Sequence, residues 1–381
     1  MKIFATCAFG TESVLKREIT DLGYDIVSSR DGLLGISGGA SDALRLNLSL
    51  RSANRVLIGM GSFPAKSFDE LFDAVYAIAW EEMIPPDGRF NVEKITSVSS
   101  ALFSKSDCQR IIKKAAAERL KKAHRKSVLP ESGANYPIYV QIKKDIVDIY
   151  LNSSGEGLNR RGYRLNKGEA PLMETLAASM VLLSGRRADE DIADIFCGSG
   201  TIAIEAAMIA TDTPPGINRS FAMEEWFPDE RKSFASLREE LRCRIHPPGS
   251  GRILASDIDG SQIANAVRNA ERAGVKEHIA FQKMDFRSFS SSRSRGIIIT
   301  NPPYGERIMD RKETEKLYRD MGELMERLPG WMIEVICANP DFQRCFGRKA
   351  DRNRKLYNGN MLSYLYTYRP QRTPKGGNGN E

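Results

Sequence analysis

The sequence predicts two kinds of architecture in one chain: small α+β domains first, and then an α/β domain with a mostly parallel, doubly wound sheet. Two observations lead to this prediction. Before about residue 157, strand-like and helical segments follow one another in two short α+β units. From Pro171 onward, short apolar strands alternate with helical segments, which is the order typical of a parallel sheet covered by helices on both faces.

The two α+β units come before the polar stretch 152–167. The first covers residues 1–60, where an alternating strand over 2–8 is followed by a helix over 12–22 and a strand over 33–37. The second covers residues 61–157 and begins with an amphipathic helix over 68–80 and a strand over 90–98. A long helix over 106–123, capped by Ser106, and a hairpin of strands over 138–142 and 146–152 complete it.

The α/β domain is predicted over residues 158–369. Its expected strands are 193–196, 253–257, 279–284, 296–300 and 331–338, and helices are expected over 202–209, 262–273 and 313–328. The last residues, 370–381, are rich in Pro, Gly and Asn, so we expect a disordered tail.

Composition excludes several classes of protein. The chain has 381 residues, too many for one ordinary domain, and no run approaches the roughly 18 apolar residues of a membrane span. The start has no signal-peptide pattern, so a cytoplasmic protein is expected. Six Cys and three His residues are scattered without metal-ligand spacing, so no metal is expected. The net charge of +7 fits a polyanionic partner without requiring one.

A glycine turn follows the predicted strand 193–196. The segment Cys197-Gly198-Ser199-Gly200-Thr201 leads into an apolar helix, and two glycines let the backbone turn sharply and a ligand approach closely. The free N–H groups of the helix that follows face an anionic group. Asp194, before the turn, can attract the ammonium group of an amino-acid ligand. The third glycine of the dinucleotide fingerprint is missing, which disfavours a nicotinamide dehydrogenase.

Two further acids end the next two predicted strands. Asp257 can accept both hydroxyls of a ribose, and it lies 63 positions after Asp194 (257 − 194), whereas a dinucleotide fold would place it about 20 on. The extra length is an insertion over 212–251. Asp285 and Phe286 could hold an adenine by one hydrogen bond and one apolar face. Each acid alone would be a solvated turn residue, but together they line one crevice and indicate a site for adenosine carrying an amino acid.

A reaction loop is predicted after the strand 296–300. There Asn301-Pro302-Pro303-Tyr304 is stiffened by its two prolines, so the Asn301 side-chain oxygen and the Pro302 carbonyl become two fixed acceptors. An exocyclic amine has two hydrogens to give, and accepting both localises its lone pair. Tyr304 offers a ring on which a displaced base can stack. A Pro-rich turn with an Asn cap is the alternative for an isolated motif of this kind.

These motifs resemble those of the bacterial THUMP-domain rRNA guanine-N2 methyltransferases. The similarity includes D-I-F-C-G-S-G-T (194–201), N-P-P-Y-G-E-R (301–307), R-G-Y-R (161–164), E-A-P-L-M-E-T-L-A-A (169–178) and R-K-L-Y-N-G (354–359), and it extends from residue 2 to about 368. The resemblance implies a ferredoxin-like domain (1–60), a THUMP RNA-binding domain (61–157) and a class I, Rossmann-like methyltransferase domain (158–369). Some members carry a second methyltransferase domain; this chain ends at residue 381, so a second activity is not expected.

The resemblance also implies the cofactor S-adenosyl-L-methionine and a set of residues that contact it. The predicted contacts are Pro171, Leu172, Asp194, Phe196, Gly198, Gly200, Thr201, Asp257, Ile258, Asp285 and Phe286. The predicted catalytic residues are Asn301, Pro302, Pro303 and Tyr304.

RNA contact is predicted at two basic regions. The long helix presents Arg110, Lys113, Lys114 and Lys121, and the stretch before the α/β domain adds Arg161 and Arg164. A basic helical face is usually only solvated, so the prediction depends on the THUMP resemblance. Phosphate contacts from such residues would position an RNA without reading its sequence. The expected partner is large-subunit rRNA or its assembly intermediate.

Three functions remain open from the sequence. The leading one is guanine-N2 methylation of 23S rRNA. The second is adenine-N6 methylation of DNA or RNA, which the reaction loop cannot separate from the first because both targets are exocyclic amines. The third is an RNA-binding assembly factor with a degenerate methyltransferase domain, against which the intact acids and complete N-P-P-Y argue.

Overall fold

The structure is a computed structural model, and it describes residues 1–30, 32–164, 172–303 and 311–370. The chain forms two compact units. Unit 1 contains residues 1–7, 15–159 and 214–243, and unit 2 contains residues 8–14, 160–213 and 244–381. In the described ranges, no helix is both long and apolar enough to cross a membrane.

The strands, in chain order, are β1 (Lys2–Cys7), β2 (Ser28–Arg30), β3 (Leu33–Ser37), β4 (Ala53–Pro64), β5 (Arg89–Val98), β6 (Asn135–Lys143), β7 (Ile146–Asn152), β8 (Asp191–Asp194), β9 (Ile253–Asp257), β10 (Ala280–Lys283), β11 (Gly296–Thr300), β12 (Trp331–Cys337), β13 (Arg352–Asn358) and β14 (Met361–Tyr368). The helices are α1 (Glu12–Asp21), α2 (Ala40–Ser49), α3 (Phe68–Ala77), α4 (Lys105–Ala123), α5 (Glu174–Ser184), α6 (Thr201–Ala210), α7 (Arg231–Cys243), α8 (Gly260–Ala273), α9 (Arg311–Arg327) and α10 (Phe342–Phe346).

Unit 1 contains one sheet of seven strands in the order β2-β3-β1-β4-β7-β6-β5. Among its described residues, only β5 and β6 pair in parallel, and every other neighbouring pair is antiparallel. The long strand β4 runs across the predicted boundary between residues 60 and 61, so the two predicted α+β domains share one sheet. They also share one apolar core, to which residues of α1, α2, α3 and α4 contribute.

The insertion predicted over 212–251 contributes to unit 1 through residues 214–243. Its apolar side chains lie in the core of that unit: Ile217, Phe221, Met223, Trp226, Phe234, Leu237 and Leu241. The Trp226 ring stacks on Tyr136 with 5.0 Å between ring centroids, and its indole N–H donates to the Asn135 carbonyl at 2.8 Å. Burial of this apolar surface explains why a segment inserted in the α/β sequence belongs to the other unit.

Unit 2 contains a second sheet of seven strands in the order β10-β9-β8-β11-β12-β14-β13. The first five strands are parallel, and β14 is antiparallel to both β12 and β13. Helices α5, α6 and α8 contribute to one apolar cluster of this unit, and α9 and α10 contribute to another. The predicted mostly parallel, doubly wound sheet is therefore confirmed, and the preceding α+β architecture with it.

Predicted boundaries are confirmed residue for residue at β3, β7, β9 and β11 and differ elsewhere. The strand expected over 193–196 is β8, which begins and ends two residues earlier, because the Phe196 N–H turns back to the Asp194 carboxylate. The long helix begins at Lys105 with Ser104 at the N-cap, so the predicted cap at Ser106 is wrong. Ser104 donates its hydroxyl to the Asp107 side chain in the first turn. The predicted tail beyond residue 370 lies outside the described residues.

Candidate active site and cofactor site

The order of strands changes direction between β8 and β11. From β8 the chain continues to β9 and β10 on one side, whereas β11 and β12 lie on the other. In open α/β sheets, ligands bind at the carboxyl ends of the strands at such a point. Asp194 is the last residue of β8 and Thr300 the last of β11, and the Thr300 hydroxyl donates to the Asp194 carboxylate at 2.8 Å. The predicted cofactor acid therefore lies at the switch point.

Asp194 is the buried acid of the site. Its side chain is 3% exposed, and burial raises its pKa to about 7, although the hydrogen bonds from Thr300 and from the Phe196 N–H act in the opposite direction. The neighbouring Asp257 adds a smaller upward shift of the same pKa. A buried carboxylate with this pKa becomes a strong acceptor when a cation approaches, because the cation offsets the cost of burial.

The glycine turn lies beside Asp257. The Gly198 N–H donates to one carboxylate oxygen of Asp257 at 3.0 Å, and the Asp259 N–H donates to the other at 2.9 Å. Gly198 and Gly200 have φ values of +49° and +85°, which disfavour other residues. A Cβ on Gly200 would also lie 2.9 Å from the Cβ of Ala266 in α8, so the turn needs glycine for close helix packing. The predicted turn and acid are brought together.

The third predicted acid follows β10 by two residues. Asp285 caps a short helical turn by accepting from the Arg287 N–H at 2.9 Å, and its carboxylate pairs with the Arg287 side chain at 3.0 Å. Phe286 is buried, with its ring 4.7 Å from that of Phe196. Ile258, the residue after Asp257, has an apolar side chain that is 65% exposed. An open apolar face is thus offered by Ile258, whereas the Phe286 ring packs into the core.

The linker arginines lie inside unit 2. Arg161 and Glu205 form an ion pair at 3.4 Å with side chains only 2% and 0% exposed, and the Tyr163 hydroxyl donates to Glu205 at 3.1 Å. Arg164 lies 3.6 Å from Glu174, and both side chains are more than nine-tenths buried. The prediction that Arg161 and Arg164 contact RNA is therefore wrong, because buried guanidinium groups cannot reach a phosphate.

Arg164 instead connects two predicted cofactor residues. Its guanidinium donates to the Leu172 carbonyl at 3.2 Å and to the Thr201 hydroxyl, at the start of α6. Leu172 and Thr201 are both buried. Burial raises the pKa of Glu174, and the charge of Arg164 opposes that shift. Pro171, predicted to close the cofactor site with Leu172, lies outside the described residues.

The reaction loop begins directly after β11. Asn301 and Pro303 are partly exposed and Pro302 is buried. The Pro303 carbonyl accepts the hydroxyl of Tyr318 at 3.1 Å, and the Tyr318 ring is fully buried against Phe342. Tyr318 belongs to the buried face of α9, and nothing in its helical spacing distinguished it from a core residue. The fourth predicted catalytic residue, Tyr304, lies outside the described residues.

Helix α4 exposes the other predicted RNA contacts. The side chains of Arg110, Lys113 and Lys114 are 78%, 48% and 67% exposed, and Lys121 is also exposed. They have intramolecular partners: Arg110 pairs with Asp107, and Lys113 and Lys114 lie over the rings of Phe90 and Phe72.

In the described ranges, no group of three or more His, Cys, Asp or Glu residues is arranged to hold a metal ion.

These residues fit S-adenosylmethionine. A buried carboxylate stands at the switch point, a second acid accepts a hydrogen bond from a glycine turn whose Gly200 has no room for a side chain, and an apolar side chain lies open beside that acid. The fold and the site together define an S-adenosylmethionine-dependent methyltransferase.

Comparison with known proteins identifies its family. Residues 161–366 match the sequence pattern of the RMKL-like methyltransferase domain, residues 2–57 that of the RlmL ferredoxin-like domain and residues 65–152 that of the THUMP domain. The chain is 42% identical over 378 residues to YpsC of Bacillus subtilis, covering 97% of each protein. The crystal structure of SMU.472, a methyltransferase complexed with SAH, is similar with a TM-score of 0.90, 37% identity and 98% coverage of each chain.

A longer relative is the ribosomal RNA large subunit methyltransferase K/L of Marinobacter nauticus. The two are 32% identical over 390 residues, which is 98% of this chain but 54% of that protein, so the chain spans about half the length of such relatives. The chain belongs to the RMKL-like family of methyltransferases, with RlmL ferredoxin-like and THUMP domains before the methyltransferase domain. Its cofactor is S-adenosylmethionine.

Proposed function

We propose that this protein methylates the N2 amino group of a guanine in large-subunit 23S rRNA. The observation that supports methylation of an exocyclic base amine is the position of Asn301-Pro302-Pro303 at the carboxyl end of β11, next to the switch-point acid Asp194. Guanine N2 is chosen over adenine N6 because the motifs resemble those of the guanine-N2 methyltransferases. The relatives named for ribosomal RNA and the THUMP match support RNA as the substrate class. The name of YpsC, "Putative RNA methyltransferase YpsC", points to the same substrate class.

Three acids would hold the cofactor. Asp194 would bind the ammonium group of its amino-acid end, because a buried carboxylate gains most from a cation. Asp257, already fixed by the amides of Gly198 and Asp259, would accept the ribose hydroxyls. Asp285 would accept from the adenine amine, and Ile258 would cover the ring. When bound, S-adenosylmethionine supplies an electrophilic methyl group on a sulfonium centre.

The reaction loop would orient the amine that receives the methyl group. The lone pair of an exocyclic amine is delocalised into the base, so the group is a weak nucleophile. The side-chain oxygen of Asn301 and the carbonyl of Pro302 would each accept one of its hydrogens, which localises the lone pair and directs it to the methyl carbon. Tyr318 keeps the loop in place through its bond to the Pro303 carbonyl. Tyr304 would stack on the base.

The exposed cations of α4 would contact RNA phosphates. Exposed ion pairs contribute little, so exchanging the Asp107 partner of Arg110 for a phosphate costs little. The same holds for Lys114, whose carboxylate partner Glu118 lies 3.9 Å away. These contacts would hold the RNA without reading its sequence.

The proposal is tested by methyl transfer onto RNA that lacks the modification. Total RNA and genomic DNA from a strain without this gene are incubated with the full chain and tritiated S-adenosylmethionine, and the products are digested to nucleosides. We expect label in N2-methylguanosine from 23S rRNA. Label in N6-methyladenosine would replace guanine by adenine as the target. Absence of methyl transfer to any of these substrates would contradict the proposal and favour the assembly-factor alternative. Free rRNA and ribosomal subunits, compared as substrates, identify the form that is recognised.

A further inference from the structure

The sheet of unit 1 has a second apolar cluster on the face opposite its main core. Ile3 and Ala5 of β1 lie in the main core, whereas Phe4 between them belongs to the other cluster. That cluster takes one residue from each of five neighbouring strands, β3, β1, β4, β7 and β6: Leu33, Phe4, Leu57, Tyr150 and Tyr139. Among the described residues, no helical residue belongs to it. Leu33, Leu57 and Tyr150 are buried in this cluster, whereas Phe4 and Tyr139 are partly exposed. We call the side of the sheet that carries these five residues the outer face.

Two glycines make room for the Phe4 ring on the outer face. Gly35 is the register partner of Phe4 on β3, and Gly59 faces Tyr150. A Cβ on Gly35 would lie 2.9 Å from Cε1 of Phe4, and a Cβ on Gly59 would lie 2.8 Å from Cε2. The ring therefore extends over both neighbouring strands, in space that any other residue would fill.

The Phe4 ring remains partly exposed in this position. It meets Tyr150 edge to face, with ring centroids 5.2 Å apart and planes at 74°. Tyr150 in turn is the register partner of Tyr139. Phe4 and Tyr139 are three strand spacings apart, or about 14 Å. Aromatic side chains thus follow one another across the sheet, and Phe4 offers an accessible ring at one end.

Two cationic side chains lie against Tyr139, at one end of the outer face. The Arg55 guanidinium lies 5.1 Å and the Lys94 ammonium 5.5 Å from the Tyr139 ring centroid. Lys94 is exposed, and it is the register partner of Tyr139 on β5. The acids on the same side are already bonded. Asp148 pairs with Arg30 at 2.7 Å, and Glu93 accepts from Asn152 at 3.1 Å.

We propose that the outer face binds a single-stranded segment of the RNA substrate. A ring that stacks on bases and cations that contact phosphates are the two components of single-strand recognition, and sheet aromatics are a known means of stacking unpaired bases. Phe4 would stack on a base, and the exposed Lys94 beside Tyr139 would contact a phosphate of the same strand. Arg55, which is partly buried and donates to the Gly155 carbonyl at 2.6 Å, would add positive charge beside that phosphate. This surface is distinct from the basic side of α4, whose apolar residues lie in the main core. The inference rests on the proposed RNA substrate.

The test measures binding of a fluorescein-labelled single-stranded oligouridine to the full chain by anisotropy. We expect Phe4→Leu to raise its Kd about tenfold, since stacking on one base is lost. Phe103→Leu is the matched control. Phe103 is 80% exposed in the same unit but lies outside the outer face, so its replacement should leave the Kd unchanged. A labelled RNA duplex should bind less tightly than the single strand and respond less to Phe4→Leu.

A second variant and a crosslinking experiment distinguish loss of an RNA contact from misfolding of the Phe4→Leu variant. Lys94→Glu changes an exposed charge and should weaken oligouridine binding about tenfold while S-adenosylhomocysteine binding stays normal. Irradiation with 5-iodouridine in the oligonucleotide should attach it to peptides of β1 or β6. Crosslinks found only elsewhere, or both variants binding as tightly as Phe103→Leu, would overturn the inference. A chain that methylates rRNA normally in both variants would overturn this inference alone, whereas one that methylates no RNA at all would overturn the proposed function.

Discussion

Two basic regions of the chain have opposite environments. Arg161 and Arg164 in unit 2 are buried and paired with Glu205 and Glu174, whereas the cations of α4 in unit 1 are largely exposed. The order of residues alone makes both regions equally suited to phosphate binding. The difference shows that a sequence rich in arginine predicts positive charge but not exposure to solvent. The glutamates that pair with Arg161 and Arg164 lie elsewhere in the sequence.

The buried and the exposed charges also have different roles in the protein. Buried charges in unit 2 support the helices around the cofactor turn, as Arg164 does for Thr201. Exposed charges on α4 are held loosely by neighbours such as Glu118 and can exchange partners. We therefore expect substitutions in the first group to alter stability or cofactor binding, and those in the second to alter the salt dependence of RNA binding.

The largest effect is expected at Arg161. Arg161→Met leaves Glu205 buried without its cation, which should lower the free energy of unfolding by about 3–5 kcal/mol. Thermal denaturation of the full chain measures this. The control Arg110→Met removes an exposed pair and should not change the melting temperature measurably. The double variant Arg161→Met/Glu205→Met should recover most of the loss. A single variant as stable as the control would show that the buried pair is not important for stability.

A second buried acid, Glu334 on β12, should make stability depend on pH. Burial raises its pKa to about 7, its Oε1 accepts from Thr367 at 3.0 Å, and its Oε2 is buried without a hydrogen bond. Because the pKa in the folded state is raised, the folded protein favours the protonated form, and stability is lost as pH rises from about 4.5 to 7. Glu334→Gln should therefore stabilise the protein at pH 8 by about 2–3 kcal/mol and have little effect at pH 4.5. Equal effects at both pH values would contradict the assignment.

Both predictions concern residues that sequence reasoning had missed or misplaced. The three acids at strand ends were predictable, because parallel strands bring their carboxyl ends to one edge. Thr300, Tyr318 and the antiparallel pair β13–β14 were not. Thr300 acts through a bond to Asp194, which is 106 residues away in sequence. The location of the insertion in unit 1 likewise depends on a core that is formed by distant segments.

At the cofactor site, Asp194 should link binding to pH. With its pKa raised to about 7 by burial, the carboxylate is ionised at pH 8 and increasingly protonated below pH 7. Affinity for S-adenosylhomocysteine should therefore fall by up to about tenfold per pH unit below 7. Calorimetry in buffers of different ionisation enthalpy should show proton release on binding at pH 6.5. Asp194→Asn should bind S-adenosylhomocysteine weakly at every pH, without this pH dependence. A variant with the wild-type pH profile would show that Asp194 does not bind the ammonium group.

The smallest effect is expected on α4. Replacing Lys113, Lys114 and Lys121 by Gln should reduce the slope of log Kd for RNA against log salt by about 0.7–0.9 for each phosphate that is no longer neutralised. The melting temperature and the affinity for S-adenosylhomocysteine should not change. Salt titration by anisotropy gives the slope directly. A triple variant with the wild-type slope would leave α4 as a solvated face and assign RNA contact to other surfaces.

Asn301 is expected to act on the target amine during methyl transfer. The most direct measurement is a single-turnover assay with RNA and cofactor bound before the reaction starts, comparing wild type with Asn301→Ala and Asn301→Asp. Loss of one preorganised polar group should slow the chemical step by about 10²–10³-fold while both affinities remain near normal. Asn301→Asp should retain part of the rate, since a carboxylate still accepts a hydrogen. A wild-type rate in Asn301→Ala would contradict the proposed role of the loop.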